Sequence, residues 1–571
     1  MKINQLRLKN FKSIGDKRQF IDFSDITMLF GANSVGKSTV IQSLIYLYEI
    51  LCKGNLDPDK TDLGGESVDL GGFRNLVHMR DLNKEIEIGV RFKLESGDSL
   101  LSYTSRLEDD LITEHGYEEA RDFLYEVHEF VLTLSIAWSE RLQKVMVSSY
   151  TLTLEDPLDI ADDEDDAIEN PLYVTSILCS ADGKMIELKG IPFTPYTLQS
   201  QLDNRGDYEP LRQLHEVLNS LIPDVEHEML RQNVLSNRIA SNKALDEEVL
   251  SWKIAENHTF ALMGQKDALP LLSGLQIGED NWREGLSEED EAGIVAISAI
   301  LNTAISGTLM LATRWLENFI YIGPLREVPS RAIEPSPKTP NSSRWSKGLS
   351  AWEQLHSFDD KQIATINQWL GRDALQTGYQ IDIKRYRELE ENHALYTILN
   401  SEPDLDELLV IQSLLDEIPV KTRIALLEEQ SDLEVVPTDI GVGISQLFPI
   451  VVLASIKKSG LAAIEQPELH IHPKLQTELA ELFISAKKNQ SSQFLLETHS
   501  EHLILRLLRR IREGENDSKL SVLLPKDVAV NYVARGETGA EFTRLPITED
   551  GDFEKKWPEG FFDERDQELF F

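Results

Sequence analysis

The stretch Gly31-Ala32-Asn33-Ser34-Val35-Gly36-Lys37-Ser38-Thr39 follows directly on the apolar run Ile26-Thr27-Met28-Leu29-Phe30 and precedes an amphipathic segment, Val40 to Tyr48. Strand, glycine-rich turn and helix in that order make a phosphate-binding loop. Glycines let successive backbone N–H groups curl around phosphates, a lysine ammonium reaches the terminal phosphates, and a hydroxyl at the first helical turn ligates Mg2+. Asn33, Ser34, Gly36, Lys37, Ser38 and Thr39 are therefore the expected nucleotide contacts, with Ser38 as a metal ligand. The expected cofactors are ATP and Mg2+.

Working outward, the 571 residues are 41% hydrophobic and 27% charged, which is the balance of a globular chain with a large core and room for an insertion. The two cysteines, Cys52 and Cys179, have no metal-ligand spacing and read as small buried side chains. Neither a signal-peptide core nor an apolar run of about 20 residues is present, so the expected location is cytoplasmic and not membrane-bound. A formal net charge of -40 repels phosphate backbones, so any DNA contact has to come from a local basic patch or from a partner. Arg506, Arg509 and Arg510 fall at helical spacing and form either such a patch or a solvated helix face. The acidic run from Asp156 to Glu169 reads as a solvated loop.

Ile3 to Asn10, Arg18 to Phe23, Glu85 to Leu94 and Val145 to Leu154 alternate apolar and polar residues as half-buried strands do. From about Pro195 to Glu317 the period shifts toward 3.6 residues, as in Tyr208 to Leu221 and Ile294 to Leu316, and the Pro329 to Pro340 stretch reads as a linker. The expected organisation is α/β: an N-terminal β-rich lobe with the phosphate loop over 1–190, a mainly helical insertion over 191–320 for dimerisation or partner binding, and a C-terminal lobe over 321–571.

The second half carries its own chemistry. Leu461-Ala462-Ala463-Ile464-Glu465-Gln466-Pro467-Glu468 reads as a buried strand ending in an acid, which places the Glu465 carboxylate beside a phosphate-bound Mg2+. Gln493 to Ser500 is a second apolar strand ending in Thr498-His499-Ser500, with His499 set to meet a γ-phosphate or attacking water. Asp439-Ile440-Gly441-Val442-Gly443-Ile444-Ser445-Gln446 leads into an apolar helix, and its Gly443 and Ser445 read either as an anion-binding turn or as a helix cap.

Together these motifs resemble the ATP-binding-cassette class of ATPases, especially the RecF, SMC and OLD-like branch whose heads are split by an insertion. Glu465-Gln466-Pro467-Glu468 with Leu469-His470-Ile471-His472-Pro473 is similar to that branch's Walker B strand and following loop. Thr498-His499-Ser500 resembles its switch histidine, and Gly443-Ile444-Ser445-Gln446 its signature motif, which in the family contacts ATP bound to the opposing subunit. Tyr321-Ile322-Gly323-Pro324-Leu325-Arg326 and Trp557 to Glu564 also resemble segments of bacterial OLD-like ATPases found beside defence genes. There Arg326 either faces phosphate or makes a structural ion pair. The resemblance implies ATP sandwiched between two heads of a homodimer or higher homo-oligomer.

This chain departs from the family in one position. Gln466 stands where the family commonly has a glutamate that polarises the attacking water, and a positioned base is worth roughly a hundred- to ten-thousand-fold. Hydrolysis is thus expected to be slow unless Glu468, His499 or a partner supplies the function. The expected role is an ATPase switch that governs a separate effector, such as a nuclease in Septu-like anti-phage defence. Two other readings stay open: a repair or recombination ATPase that binds DNA directly, and an ATP-bound scaffold that does not hydrolyse.

Overall fold

In the computed structural model the described residues are 1–95, 97–100, 124, 127–155, 173–189, 259–263, 265–277, 288–329, 342–400, 405–457, 459–489, 491–516 and 523–558. The acidic run 156–169, the periodic segment 208–221, most of the Pro-rich stretch 329–340 and residues 559–564 of the tail lie outside them. The chain is α/β and divides into two compact units. One comprises Met1–Thr61, Asp69–Phe319 and Ala529–Leu545, and the other Asp62–Val68, Ile320–Val528 and Pro546–Phe571.

The first unit is organised on a 9-stranded sheet whose strand pairs are all antiparallel. Lys2–Lys9 pairs with Gln19–Asp22 on one side and Ile86–Lys93 on the other, and Glu129–Ser139, Lys144–Glu155, Tyr173–Cys179 and Ile186–Lys189 continue the meander. Alternation drives this layer: Ile86, Ile88, Val90 and Phe92 are all fully buried, and Glu87 and Arg91 between them are not. Thr259–Met263 and Gln276–Ile277 extend the same sheet, within the stretch whose sequence reads as helical. The helix Glu288–Glu317 contains the periodic segment Ile294 to Leu316, and its Trp315 meets Phe92 edge-on at 5.3 Å.

Also in this unit, Ile26–Gly31 lies beside Val528–Arg535, which pairs antiparallel with Ala540–Arg544. All six residues of Ile26–Gly31 are buried, which explains why this run is apolar throughout and does not alternate.

The second unit centres on three parallel strands, Ile320–Ile322, Ser459–Glu465 and Ser491–Glu497, with Glu465 in register with Glu497 at their ends. The helix Val442–Ile456 is apolar on every side and buried along most of its length; Trp352 stacks on its Phe448 at 3.8 Å. Pro473–Asn489 and Glu501–Asn516 pack against each other, and Tyr379–Arg387, Val420–Glu428 and Glu434–Val435 form a separate antiparallel sheet. Among the described residues, no helix is long and apolar enough to cross a membrane.

Candidate functional site

In the first unit the fully buried strand Ile26–Gly31 delivers the chain to a loop whose Ala32, Asn33 and Ser34 are exposed. Two backbone conformations shape the turn. Ser34 has φ 63° and Gly36, the residue capping the helix Lys37–Lys53, has φ 117°. A Cβ on Gly36 would also collide with Ser13 Oγ, so this glycine is required by space as well as by dihedral. Lys37 is 4% exposed and its Nζ donates to the carbonyls of Gly31 at 3.0 Å and Ala32 at 2.8 Å, which holds the ammonium inside the loop's curve. Ser38 stands half-buried on the first helical turn, and Thr39 Oγ1 lies 2.9 Å from Ser13 Oγ. The helix N-terminus, with its positive dipole end, faces the loop that Lys37 lines. Asn33, Ser34, Gly36, Lys37, Ser38 and Thr39 are therefore brought together in one loop and helix start, shaped as a cradle.

The sequence does not reveal what braces this cradle. The turn after the first strand, with left-handed Asn10 (φ 54°) and Lys12 (φ 49°), places Ser13 against Thr39 and Lys12 Nζ 2.7 Å from Gln42 Oε1. Ala540 N in turn donates to Ser13 O at 2.8 Å. A lysine and a serine in a short turn give no signal in the sequence; only the close approach marks them.

In the second unit, Glu465 ends its strand half-buried and accepts a 3.0 Å hydrogen bond from the Tyr321 hydroxyl. Gln466 turns the chain with φ 44°, its N–H donating to Glu497 O at 2.7 Å. A non-glycine residue in the left-handed region is uncommon, and it needs surrounding structure to hold it. Arg326 does so: its guanidinium donates to Glu465 O at 2.6 Å and Gln466 O at 3.4 Å. Among the described residues no carboxylate comes within ion-pair distance of Arg326, and it is 4% exposed. Of the two readings of Arg326, the structural ion pair gives way to a cation on two carbonyls. Burial lowers its pKa to about 10, opposed by the charges of Glu468 and Glu465. Burial likewise raises the Tyr321 hydroxyl, with Glu465 adding to the effect, so Tyr321 is a neutral donor.

Glu468 uses both carboxylate oxygens on the neighbouring strand end. Oε2 accepts from Thr498 Oγ1 at 2.8 Å and Oε1 from the His499 N–H at 2.7 Å. Burial raises its pKa, partly offset by these bonds. Glu468 thus fixes the position of half-buried His499, and Ser500 Oγ donates onward to Gln476 Oε1 at 2.6 Å. His470 and His472 lie on the connecting loop, where His472 Nδ1 accepts from Lys474 N at 3.2 Å at the start of the next helix.

Ser445 is fully buried, and its hydroxyl donates to Val442 O at 2.7 Å within its own helix. Gly443 is needed because a Cβ there would stand 2.8 Å from His470 O. Gly441 and Val442 are the exposed residues at this helix start. The second unit therefore gathers Glu465, Gln466, Glu468 and His499 at adjacent strand ends, with Gly443 and Ser445 on the helix packed beside their loop. Among the described residues, no cluster of His, Cys, Asp or Glu is grouped to hold a metal by itself.

The arginine cluster has a structural explanation. Arg506 pairs with Glu481 at 3.0 Å, Arg509 with Glu513 at 2.6 Å, and Arg510 with both Glu481 and Glu513 at 2.6 Å. Arg512 pairs with Asp552 at 2.8 Å. Of the two readings of this cluster, the geometry supports the solvated, acid-paired helix face.

Comparison with known proteins adds the following. The family model described as AAA ATPase domain matches residues 1–166 and 351–504, and one described as a protein of unknown function, DUF3696, matches 523–570. Among curated proteins none matches the chain. Solved structures similar to it include an SMC head bound to the C-terminal winged-helix domain of ScpA (10% identity, 96% of this chain and 99% of that chain covered, TM-score 0.36). A Pyrococcus furiosus SMC head with an extended coiled coil, bound to the C-terminal domain of ScpA, has 11% identity over 95% and 96% of the two chains at TM-score 0.35. The SMC head domain from Thermotoga maritima has 9% identity over 96% and 100% at TM-score 0.34.

Proposed function

Because the chain belongs to the AAA ATPase domain family, we propose that it binds ATP on the loop Gly31–Thr39, hydrolyses it slowly, and uses nucleotide-driven pairing of two copies to control a separate cytoplasmic effector. The single observation carrying the ATP assignment is the cradle itself: Lys37 Nζ held inside the loop at 2.8 and 3.0 Å from its carbonyls, at a helix N-terminus. Phosphate oxygens are natural competitors for that ammonium and for the N–H groups of residues 33–39. Ser38 and Glu465 have the oxygen donors that Mg2+ prefers, and the metal, when bound, neutralises charge on the β- and γ-phosphates.

The slow-turnover part of this reading rests on Gln466, which offers no proton acceptor, and on Glu468, whose two oxygens already accept hydrogen bonds. An effector nuclease in anti-phage defence is the output that the resemblance to OLD-like and Septu-like ATPases favours. In Lys37→Ala, calorimetric ATP binding is expected to disappear with the fold intact by circular dichroism. Unchanged binding in that variant removes the loop from the site. Turnover of the native protein that rises markedly with double-stranded DNA favours a direct DNA-reading ATPase, and bound ATP without turnover favours a scaffold.

A further inference from the structure

Arg326 is tied at both ends of its residue. Its backbone N–H donates to Gln446 Oε1 at 3.0 Å, and its carbonyl accepts from Gln446 Nε2 at 2.6 Å, so one buried side-chain amide clamps residue 326 from 120 positions away. Its guanidinium, meanwhile, holds the carbonyls of Glu465 and Gln466, where the chain turns through the left-handed conformation of Gln466. Gln446 lies one residue beyond Ser445 on the first turns of the helix Val442–Ile456, and Gly348, in the left-handed region at φ 76°, packs against Pro449 of that helix and the Cβ of Arg326. A charged group placed in the interior on neutral carbonyls is an expensive way to hold a turn, because desolvation of a cation is recovered poorly without a counter-ion. Arg326 Nε, moreover, is buried with no hydrogen-bond partner among the described residues. The Nε–H donor thus remains unspent, a feature of a guanidinium that can redistribute its bonds rather than of an optimised structural lock.

We infer that Arg326 is a positioning residue that couples the glycine-serine start of the helix Val442–Ile456, through Gln446, to the backbone that aims Glu465 and Gln466. The inference rests on the ATPase reading above. A displacement of that helix start moves residue 326 through two hydrogen bonds, and residue 326 moves the carbonyls of 465 and 466 through its fork. Arg326 contacts no reacting atom in this scheme; it acts through the strand end.

The test uses the full-length protein with Mg2+ and ATP. Arg326→Lys keeps the charge and removes the fork, and Gln446→Met removes the clamp while leaving the guanidinium in place. Each is expected to lower kcat about 10- to 100-fold, the usual range when a supporting contact of a site is lost. Calorimetric Kd for ATP should stay within about threefold, since loop 31–39 is untouched, and the double variant should be no worse than the stronger single one because both act along one path. Gln446→Glu, which keeps size and one acceptor, serves if Gln446→Met does not fold. Native kcat in a folded Gln446 variant, or losses that multiply in the double variant, overturns the proposal. If the native protein binds ATP without turnover, the hydrolysis part of the functional reading fails and hydrogen exchange decides the coupling. ATP-dependent protection of the amides of Gln466 and of residues 468–470 that is lost in the Gln446 variant upholds it, and protection that persists, or is absent in the native protein, refutes it.

Discussion

Gln466 concentrates the residue-scale question, because one amide stands where a carboxylate would make a base. Its surroundings favour a strong response to substitution. Glu465, Glu468 and the registered Glu497 are all close along the chain or sheet, and the Arg326 guanidinium sits on the Gln466 carbonyl, so a new carboxylate at 466 stands among charges of both signs and brings the proton acceptor that an amide lacks. The left-handed φ of 44° is equally demanding for Gln and Glu, so the exchange keeps the turn. Gln466→Glu is expected to raise steady-state ATP turnover by at least about tenfold, within the range a positioned base supplies. The measurement is phosphate release at saturating ATP, with Lys37→Ala as the blank. Equal turnover in the two proteins means residue 466 does not face the attacking water.

At the scale of elements, the join between the helix Val442–Ile456 and the strand Ser459–Glu465 carries a titration. Lys457 caps that helix, is 6% exposed, and has its ammonium pushed down to about 7 from an ordinary value near 10.5 by burial. Between about pH 7 and 10.5 the unfolded chain therefore holds a proton there that the folded chain has released, so stability rises with pH across that window. Below it the folded chain carries a charge that burial disfavours. Lys457→Met is expected to melt above the native protein at pH 6, by an amount on the order of a few kcal/mol, with the gap closing toward pH 10. A gap independent of pH in thermal melts at both values refutes the titration. These elements also show what the sequence makes legible. Strands such as Ile86–Lys93 are readable because eight residues of alternation survive any local noise, and the phosphate loop because its glycines and lysine are fixed by chemistry. Thr259–Met263 and Gln276–Ile277 are too short to express a period of two against helical neighbours. The roles of Ser13, Arg326 and Gln446 depend on partners far along the chain, Ala540 for Ser13 and Gln466 for Arg326, which no local pattern encodes.

At the scale of the whole molecule, a net charge of -40 sets opposite salt dependences for two ways of driving this ATPase. Two copies that close on each other must bring like-charged surfaces together, and added salt screens that repulsion, with a Debye length of about 10 Å at 0.1 M. A duplex bound directly through cations behaves in the reverse sense, because each neutralised phosphate releases counter-ions and binding falls steeply with salt. The pairing of Arg506, Arg509, Arg510 and Arg512 with acids removes the most basic helix from the list of ready DNA contacts. ATP-dependent self-association followed by analytical ultracentrifugation, and turnover with it, is therefore expected to strengthen between about 20 and 200 mM salt, across the range where screening takes hold. Arg509→Glu should leave both unchanged, since its exposed pair with Glu513 is worth at most about 1 kcal/mol. Turnover that needs DNA and collapses over the same salt range would reverse the conclusion, placing the control of hydrolysis in a nucleic-acid contact made against the charge of the chain as a whole.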